Sequence, residues 1–453
     1  MLSPENERPP LVPGLPLLGS ALAISRGVPA FLTKMYRAYG PIFRIRMVGR
    51  EFTVMAGVDA NLFMAKDGDA HLSSRDAWAD FVGEYGATVS VMKEDGELHA
   101  RLRKLMKRGY SRSAIAPHLD RIVAIARDEL RAWPEGKAVS VTDAMKPIIT
   151  EQLGQVLAGR SPRAHLDDLR RFLGSALAMF VARSRPPVMR HLPGYRRARA
   201  RVMALGREVL ESHRTKGPPA NPEARDLIDD LLAAVAEEPT LLAPEDLLHA
   251  TLGPFIAGLD TVASASSFLL YALAAHPEVM ARARAEADAL FAATAGRAIA
   301  LDDLKLLKTL TAAAMESLRM YPIAPAAVRT AASDFSFGGH RVARGTNLLI
   351  ATSVTHFLEE LHPAPHAFDI DRYAPPRNEH RIAGAYAPFG AGAHICLGAG
   401  LAESQLVLTV ATLLHEAELT LDPPDYQLRV IAWPATAPDR RFRLRVRRRR
   451  RSG

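Results

Sequence analysis

The sequence predicts a mainly helical protein with small β-sheets, and three observations support this fold class. Helical patterns of apolar residues follow one another from residue 97 to residue 321, separated by short turns rich in proline and glycine. Short alternating segments typical of strands occur near residue 50, near residues 330–350 and at the C-terminus. Residues 244–276 form one long pattern that is apolar on nearly all sides in its middle, which indicates a buried central helix.

The regular patterns begin after a proline-rich N-terminal segment over residues 1–30. Residues 42–47 and 51–55 predict two short strands around a turn. Residues 69–96 have no regular pattern, and we interpret them as a long loop of the kind that often forms a lid. Helices are predicted at 97–111, 117–133, 142–159, 164–183, 195–214, 224–237, 244–276, 277–294, 302–321 and 397–415.

The composition is typical of a globular protein, with 48% apolar and 24% charged residues. The single cysteine, Cys396, excludes an intrachain disulfide and any site that needs several cysteines, and it suits a reducing cytoplasm. The apolar stretch 11–24 is interrupted by two prolines and two glycines and follows no basic segment. We therefore predict neither a transmembrane helix nor a signal peptide there.

The net charge of +9 belongs to the C-terminus. From Arg440 onward there are nine arginines and no acid, so the rest of the chain is balanced. Phe442, Leu444 and Val446 alternate with arginines, which predicts an edge strand with one solvated face. The arginine-rich tail at 447–453 is predicted to be a frayed, solvated end, and binding of nucleic acid or anionic lipid is the alternative.

Cys396 lies in a glycine-rich loop, PFGAGAHICLG, that leads into a helical pattern. Glycines let the backbone approach a bulky flat group closely. A thiol just before a helix is favoured in its thiolate form, which is the form that ligates metals. The loop therefore predicts a metal-cofactor ligand, and the alternative is a buried cysteine that acts as a small apolar residue.

Three further pairs of polar residues stand out. Asp260 and Thr261 interrupt the buried central helix, where an aspartate is costly without a partner, so they either cap a helix distortion or take part in chemistry. Glu316 and Arg319 lie three residues apart on one helix face, and a surface ion pair is the alternative. The third pair, His99 and Arg103, lies four residues apart on the first long helix, so both side chains point from one face. The alternative is that this helix is simply basic and solvated.

Together these features resemble the cytochrome P-450 family of haem-thiolate monooxygenases. The stretch FGAGAHICLG resembles the family's ten-residue haem loop, and the shorter patterns AGLDT and ESLR follow the family's order and spacing. The resemblance extends from the proline-rich start to the last strand. It implies a single domain over residues 1–453, with haem between a long central distal helix and the proximal helix that follows the cysteine loop.

The resemblance implies heme b (iron protoporphyrin IX) as cofactor, with Cys396 as the axial ligand of iron and Phe389 packed under the ring. Further residues would border the cofactor: Gly390, Gly398 and Ala257. The residues implied to hold its propionates are His99, Arg103, Arg329 and His394. A structural triad would comprise Glu316, Arg319 and Arg372. The family usually has proline where this chain has Ile370, which leaves the geometry around Arg372 open.

The resemblance also implies the activity. A thiolate donates electron density to haem iron and favours cleavage of O2. Asp260 and Thr261 would deliver the protons that this cleavage requires. Electrons would come from a separate ferredoxin or flavodoxin with its reductase, which would dock on basic residues near the haem: Lys104, Lys107, Arg108 and Arg112. The substrate would be a lipophilic small molecule such as a terpenoid, steroid, fatty acid or polyketide, free or bound to a carrier protein.

The predicted protein is a cytoplasmic monomer that binds no nucleic acid and makes no integral membrane contact. By resemblance, the substrate pocket would be lined by the 78–92 loop, by residues near Phe180, Ile256 and Ala257, and by two segments: 324–328 and 435–436. One alternative is a haem-thiolate peroxygenase, isomerase or dehydratase that works without external electrons. Another is a non-catalytic haem binder or sensor joined to nucleic acid through the arginine tail.

Overall fold

The computed structural model describes residues 8–221, 225–432 and 436–449. Sixteen helices and twelve strands lie within these residues, so the predicted mainly helical fold with small sheets is confirmed. The chain divides into two compact units. The first comprises Met1–Asp80, Val91–Arg101 and Leu318–Cys396, and the second comprises Phe81–Ser90, Leu102–Ser317 and Leu397–Gly453.

The first unit is built on a five-stranded sheet. Its helices and strands are α1 (Ala21–Ser25), α2 (Val28–Tyr39), β1 (Ile42–Met47), β2 (Arg50–Ala56), α3 (Val58–Lys66), α4 (Gly68–His71), β3 (Leu72–Ser73), β5 (Ala327–Ala331), β6 (Phe335–Phe337), β7 (His340–Val342) and β8 (Asn347–Ala351). The strand order is β1-β2-β8-β5-β3, in which only the β2–β8 pair is parallel. Ile42, Met55 and Ile350 are fully buried in one apolar cluster, on which Phe63 and Phe335 stack.

The loop predicted at 69–96 contains more regular structure than its sequence pattern indicated. It holds α4, β3 and α5 (Arg75–Gly83), which continues into the second unit. The two residues of β3 pair with Ala331 and Thr330, more than 250 positions away in the chain. A two-residue strand has no periodicity of its own, so only this distant pairing defines it.

The second unit is mainly helical. Its helices and strands are α7 (Arg112–Ile115), α8 (Leu119–Ala132), β4 (Ala138–Ser140), α9 (Val141–Leu157), α10 (Leu166–Ala176), α11 (Pro193–Lys216), α12 (Leu227–Glu237), α13 (Pro244–Ala275), α14 (Pro277–Ala293), α16 (Ala399–Glu416), β9 (Ala417–Leu421), β10 (Val430–Ile431), β11 (Ala437–Pro438) and β12 (Arg443–Arg448). Two more helices contain residues of both units: α6 (Gly96–Lys107) and α15 (Lys308–Met320).

The long central helix predicted at 244–276 is α13, a continuous helix of 32 residues. It packs against α9, and Gly258 permits their close approach, because a Cβ there would lie 2.7 Å from the Leu153 side chain. The helix is continuous through Asp260 and Thr261. By length and composition alone α13 could cross a membrane, but 72% of its most apolar window is buried inside the protein, as in a core helix.

The C-terminal strand differs from its prediction. β12 alternates buried and exposed residues as expected, but it is the centre of a three-stranded sheet, β4-β12-β9, and not an edge strand. Alternation identifies a solvated face and does not reveal how many neighbours a strand has.

More residues of the arginine-rich tail are held by the fold than the sequence predicted. Arg447 and Arg448 belong to β12, and Arg449 lies 2.7 Å from Asp288, whereas Arg450 and Arg451 lie outside the described residues.

His249 on α13 makes the stability of the protein dependent on pH. Its ring is buried, Nε2 lies 3.0 Å from the Ser90 hydroxyl, and burial lowers its pKa to about 4, although Asp246 opposes this shift. The unfolded chain would bind a proton near pH 6.5, whereas the folded chain would not until about pH 4. Stability is therefore lost as the pH falls through this window.

We expect His249→Gln to reduce this loss by about 1.4 kcal/mol per pH unit, because Gln cannot gain the proton that penalises the folded state. Urea denaturation of both proteins between pH 7 and about 4 measures the difference. Exposed His191→Gln is the control, and we expect it to leave the slope unchanged. Equal slopes for wild type and His249→Gln would contradict the burial argument.

Candidate functional site

Cys396 lies at the end of the glycine-rich loop, in the first unit, three residues before α16 begins. Cys396 is exposed and is not part of a disulfide. Its backbone N–H donates to the Phe389 carbonyl over 2.9 Å. Gly392 has a φ of +72° and a Cβ there would lie 2.2 Å from the Met64 carbonyl oxygen, so only glycine fits. Cys396 is therefore accessible, and the buried-cysteine alternative does not describe it.

At two other loop positions, Gly390 and Gly398, the surrounding atoms leave room for a Cβ. Gly390 has a φ of +76°, which favours glycine, but a Cβ there would meet no atom within 4 Å. Gly398 has a φ of −95°, and a Cβ would make only an ordinary contact of 3.6 Å with Tyr110. The roles of Gly390, Gly398 and the half-buried Phe389 beside a cofactor stay predictions.

His394, two residues before Cys396, stacks on the buried ring of His99 at a centroid distance of 3.9 Å. Its Nε2 lies 3.1 Å from Asp95 and 3.3 Å from the Ser74 hydroxyl. Burial would raise the pKa of Asp95, but the hydrogen bonds from His394, Ser73 and Ser74 outweigh it and lower that pKa to about 2. The two predicted histidines thus meet, and His394 is paired with a carboxylate, Asp95, that the sequence did not indicate.

Arg329 on β5 is a buried cation. Its guanidinium donates to the Val328 carbonyl over 2.8 Å, and burial lowers its pKa to about 10, although Asp95 partly opposes this. Within the described part of the chain no carboxylate lies within ion-pair distance of it. A buried guanidinium without a close counter-ion fits an acidic group supplied from outside the chain. Arg103, on α6, is half-buried in the second unit.

Asp260 and Thr261 lie in the middle of α13, in the second unit. Ala257 and Thr261 are exposed although most residues around them in the helix are buried. The Thr261 hydroxyl donates to the Ala257 carbonyl over 2.5 Å, which leaves its oxygen lone pairs able to accept. Asp260 is only partly buried and forms an ion pair of 2.7 Å with Lys146 of α9. The ion pair with Lys146 explains why Asp260 is tolerated in an apolar helix.

The predicted triad lies in a buried network. Glu316, Arg319 and Arg372 have no exposed surface, so the surface ion pair considered for Glu316 and Arg319 is wrong. Arg319 and Arg372 both donate to the Ala367 carbonyl, over 3.4 and 3.5 Å. Arg372 also donates to Glu379 over 3.0 Å, and His362 and Arg377 contact the same carboxylate. The sequence analysis did not identify Glu379, His362 and Arg377, because no local sequence pattern marks them.

The residues of the first unit fit a large anionic, metal-containing group. The first unit supplies an exposed thiol, the stacked histidines and a buried guanidinium, which are a soft metal ligand and partners for carboxylates. The second unit supplies an exposed alcohol, Thr261, and one exposed small side chain, Ala257, within a mostly buried helix. Each set, taken by itself, is consistent with the haem implied by the sequence.

Comparison with known proteins decides the family. The sequence model of the cytochrome P450 family matches residues 9–437, most of the chain. The chain belongs to the cytochrome P450 family. It is therefore a P450 monooxygenase family enzyme, and its cofactor is haem. As a bacterial-type P450 it uses a redox partner and a small-molecule substrate.

Among curated relatives, a cyclooctat-9-en-7-ol 5-monooxygenase from Streptomyces melanosporofaciens is 30% identical over 337 residues, covering 72% of each chain. A sterol 14alpha-demethylase from Mycolicibacterium vanbaalenii is 27% identical and covers 90% of this chain and 91% of its own. Among solved structures, retinoic acid bound cyanobacterial CYP120A1 superposes with a TM-score of 0.83 at 23% identity, covering 97% of this P450 and 99% of that chain. That structure supports the P450 fold alone.

Proposed function

We propose that this P450 is a monooxygenase that hydroxylates or epoxidises a lipophilic small molecule, with Cys396 as the thiolate ligand of haem iron. The observation that carries the proposal is the exposed residue Cys396 in a loop whose glycine at 392 no other residue could replace. Haem bound through a thiolate supplies O2 activation. His99, Arg103, Arg329 and His394 would hold its propionates, Phe389 would pack beneath the ring, and Ala257, Gly390 and Gly398 would border it.

Asp260, Thr261 and Lys146 are proposed to manage protons. The Thr261 hydroxyl donates its proton in a hydrogen bond to the Ala257 carbonyl, so its oxygen can accept a hydrogen bond from a water. The Asp260 carboxylate and the Lys146 ammonium are each about one-fifth exposed, so solvent can replace a proton that this pair releases. The pair therefore connects the middle of α13 with solvent.

Substitution of Thr261 separates this proposal from a peroxygenase. For Thr261→Ala we expect the product formed per electron pair consumed to fall by about tenfold or more, since a positioned proton-transfer group contributes roughly 10²–10⁴-fold. Measurement of product and hydrogen peroxide with a surrogate redox partner gives this ratio. Thr261→Ser retains the hydroxyl and is the control, with a ratio close to that of wild type.

A P450 that works without external electrons would behave differently. It would turn over with hydrogen peroxide alone at a rate that Thr261→Ala leaves unchanged, and this result would favour the peroxygenase alternative.

The substrate class is proposed from the pocket residues and the relatives. The residues Phe180 and Ile256 are apolar, and the segment 324–328 contains only alanine, proline and valine. Of the other predicted segment, Thr436 is buried and Ala435 lies outside the described residues. Two relatives are named for a cyclic terpenoid alcohol and a sterol. We therefore propose a terpenoid or steroid skeleton, which a spin-state titration of the purified P450 against a lipophilic panel can identify.

The electron donor is proposed to be an acidic ferredoxin or flavodoxin. Lys104, Lys107 and Arg112 are exposed. Arg108 belongs less to this surface than the sequence suggested, because Asp230 contacts its guanidinium at 2.5 and 2.8 Å. The docking surface is therefore the two lysines and Arg112.

We expect Lys104→Glu/Lys107→Glu to raise the apparent KM for the redox partner about tenfold at low salt, and the effect to shrink as salt screens it. Steady-state reduction at several ionic strengths measures this change. Lys34→Glu/Lys216→Glu is the control, since it changes the net charge equally at exposed positions elsewhere. An equal effect in both variants would contradict a local docking surface.

The proposal further places the enzyme in the cytoplasm as a monomer formed by one domain over residues 1–453.

A further inference from the structure

His356 is a buried histidine whose two ring nitrogens are both engaged. It lies in a short 3₁₀ segment, Val354–Phe357, of the first unit and has no exposed surface. Its Nδ1 lies 3.2 Å from the Arg319 carbonyl oxygen, and its Nε2 accepts from the Ala387 backbone N–H over 3.0 Å. Its own carbonyl accepts from the Arg319 guanidinium over 2.6 Å. Arg319 and Ala387 are therefore held by one side chain.

These partners determine the protonation of the ring. The Arg319 carbonyl can only accept, so Nδ1 carries the proton, whereas Ala387 donates, so Nε2 holds a lone pair. The ring is neutral and has one specific tautomer. Burial, with the nearby charges of His362 and Arg319, lowers the pKa of His356 to about 3, which agrees with the neutral ring.

Ala387 begins the loop that carries Cys396. Its carbonyl accepts from Gly390 over 3.1 Å, and two residues after it the Phe389 carbonyl accepts from the Cys396 N–H over 2.9 Å. The backbone from Ala387 to Cys396 is thus tied by successive hydrogen bonds. The bond to His356 joins the start of this loop to Arg319 in the buried network.

We propose that His356 is a positioning residue that, through the lone pair on Nε2, fixes the Ala387 amide and thereby the orientation of the Cys396 thiolate. This inference rests on the proposed ligation of haem iron by Cys396. It assigns to His356 a role that is more specific than packing, since only an acceptor at the Nε2 position can hold the Ala387 N–H.

Two amide side chains separate the functions of the two ring nitrogens. In His356→Gln the side-chain oxygen can reach the Nε2 position and accept from Ala387. In His356→Asn the shorter side chain reaches only the Nδ1 position, where it can donate to the Arg319 carbonyl but leaves the Ala387 N–H without an acceptor. A merely structural role predicts no preference for Gln over Asn.

The experiment is the carbon monoxide difference spectrum of the reduced, haem-loaded proteins, normalised to haem content and followed during mild heating. We expect wild type and His356→Gln to keep the red-shifted thiolate band. We expect His356→Asn to show a severalfold smaller thiolate fraction at equal haem content. His249→Gln, a substitution of a buried histidine in the second unit, is the control and should keep the band.

Equal behaviour of the Gln and Asn variants, or a larger loss in the Gln variant, would overturn the assignment. If His356→Asn does not fold, hydrogen exchange in the wild type tests the same bond. The Ala387 amide should then be as protected as the interior amides of α16, and exchange at the rate of an exposed amide would overturn the proposal. Absence of the thiolate band in the wild type would instead refute ligation by Cys396, while the exchange result for Ala387 would still stand.

Discussion

Cys396→Ser is expected to abolish the red-shifted band of the reduced carbon monoxide complex and to lower monooxygenase activity by more than about 100-fold, since even loss of a residue that only supports a metal ligand costs about 10–100-fold. A serine hydroxyl stays protonated where a cysteine thiol ionises, so it cannot donate electron density as a thiolate does. Cys396 is exposed, so its exchange for serine leaves no cavity in the core. Difference spectroscopy and product formation measure the two effects.

The control for this prediction is Ala393→Ser. It adds a hydroxyl to the same loop, three residues before the thiol, and should retain the band and most of the activity. Circular dichroism should show unchanged helix content for both variants. A thiolate band that survives in Cys396→Ser would exclude Cys396 as the ligand and would overturn the proposed function.

Arg372→Met is expected to lower the free energy of unfolding by about 3–5 kcal/mol, because it removes a fully buried cation from an ion pair and leaves the Ala364 carbonyl without its donor, although Arg377 and His362 still contact Glu379. The Arg372 side chain is 0% exposed, and it donates to Glu379 over 3.0 Å and to the Ala364 carbonyl over 2.9 Å. Methionine replaces much of the volume and none of the hydrogen bonds. Urea or thermal denaturation of the haem-loaded protein measures the change.

Arg377→Met is the matched control, because Arg377 contacts the same Glu379 carboxylate but its side chain is 35% exposed. We expect it to cost less than about 1 kcal/mol, as is usual for exposed ion pairs. Similar losses in the two variants would show that burial does not set the strength of this network.

The sequence predicted best the features that local patterns define. The helical period and apolar middle of 244–276 predicted α13 to within a residue at each end. The glycine-rich run around Cys396 indicated the loop before α16, and its resemblance to the P450 family named the enzyme class. By contrast, β3 and the central place of β12 depend on pairing with distant strands, which periodicity does not reveal.

The sequence by itself therefore determined the fold class, the family, the haem cofactor and the candidate residues. Only the tertiary structure decided their partners. It paired Asp260 with Lys146, His394 with Asp95, and Arg372 with Glu379. It also placed His356 between Arg319 and the start of the cysteine loop. The physical reason is that charge compensation and hydrogen bonding depend on distances across the folded chain, whereas helices and glycine turns are encoded over a few consecutive residues.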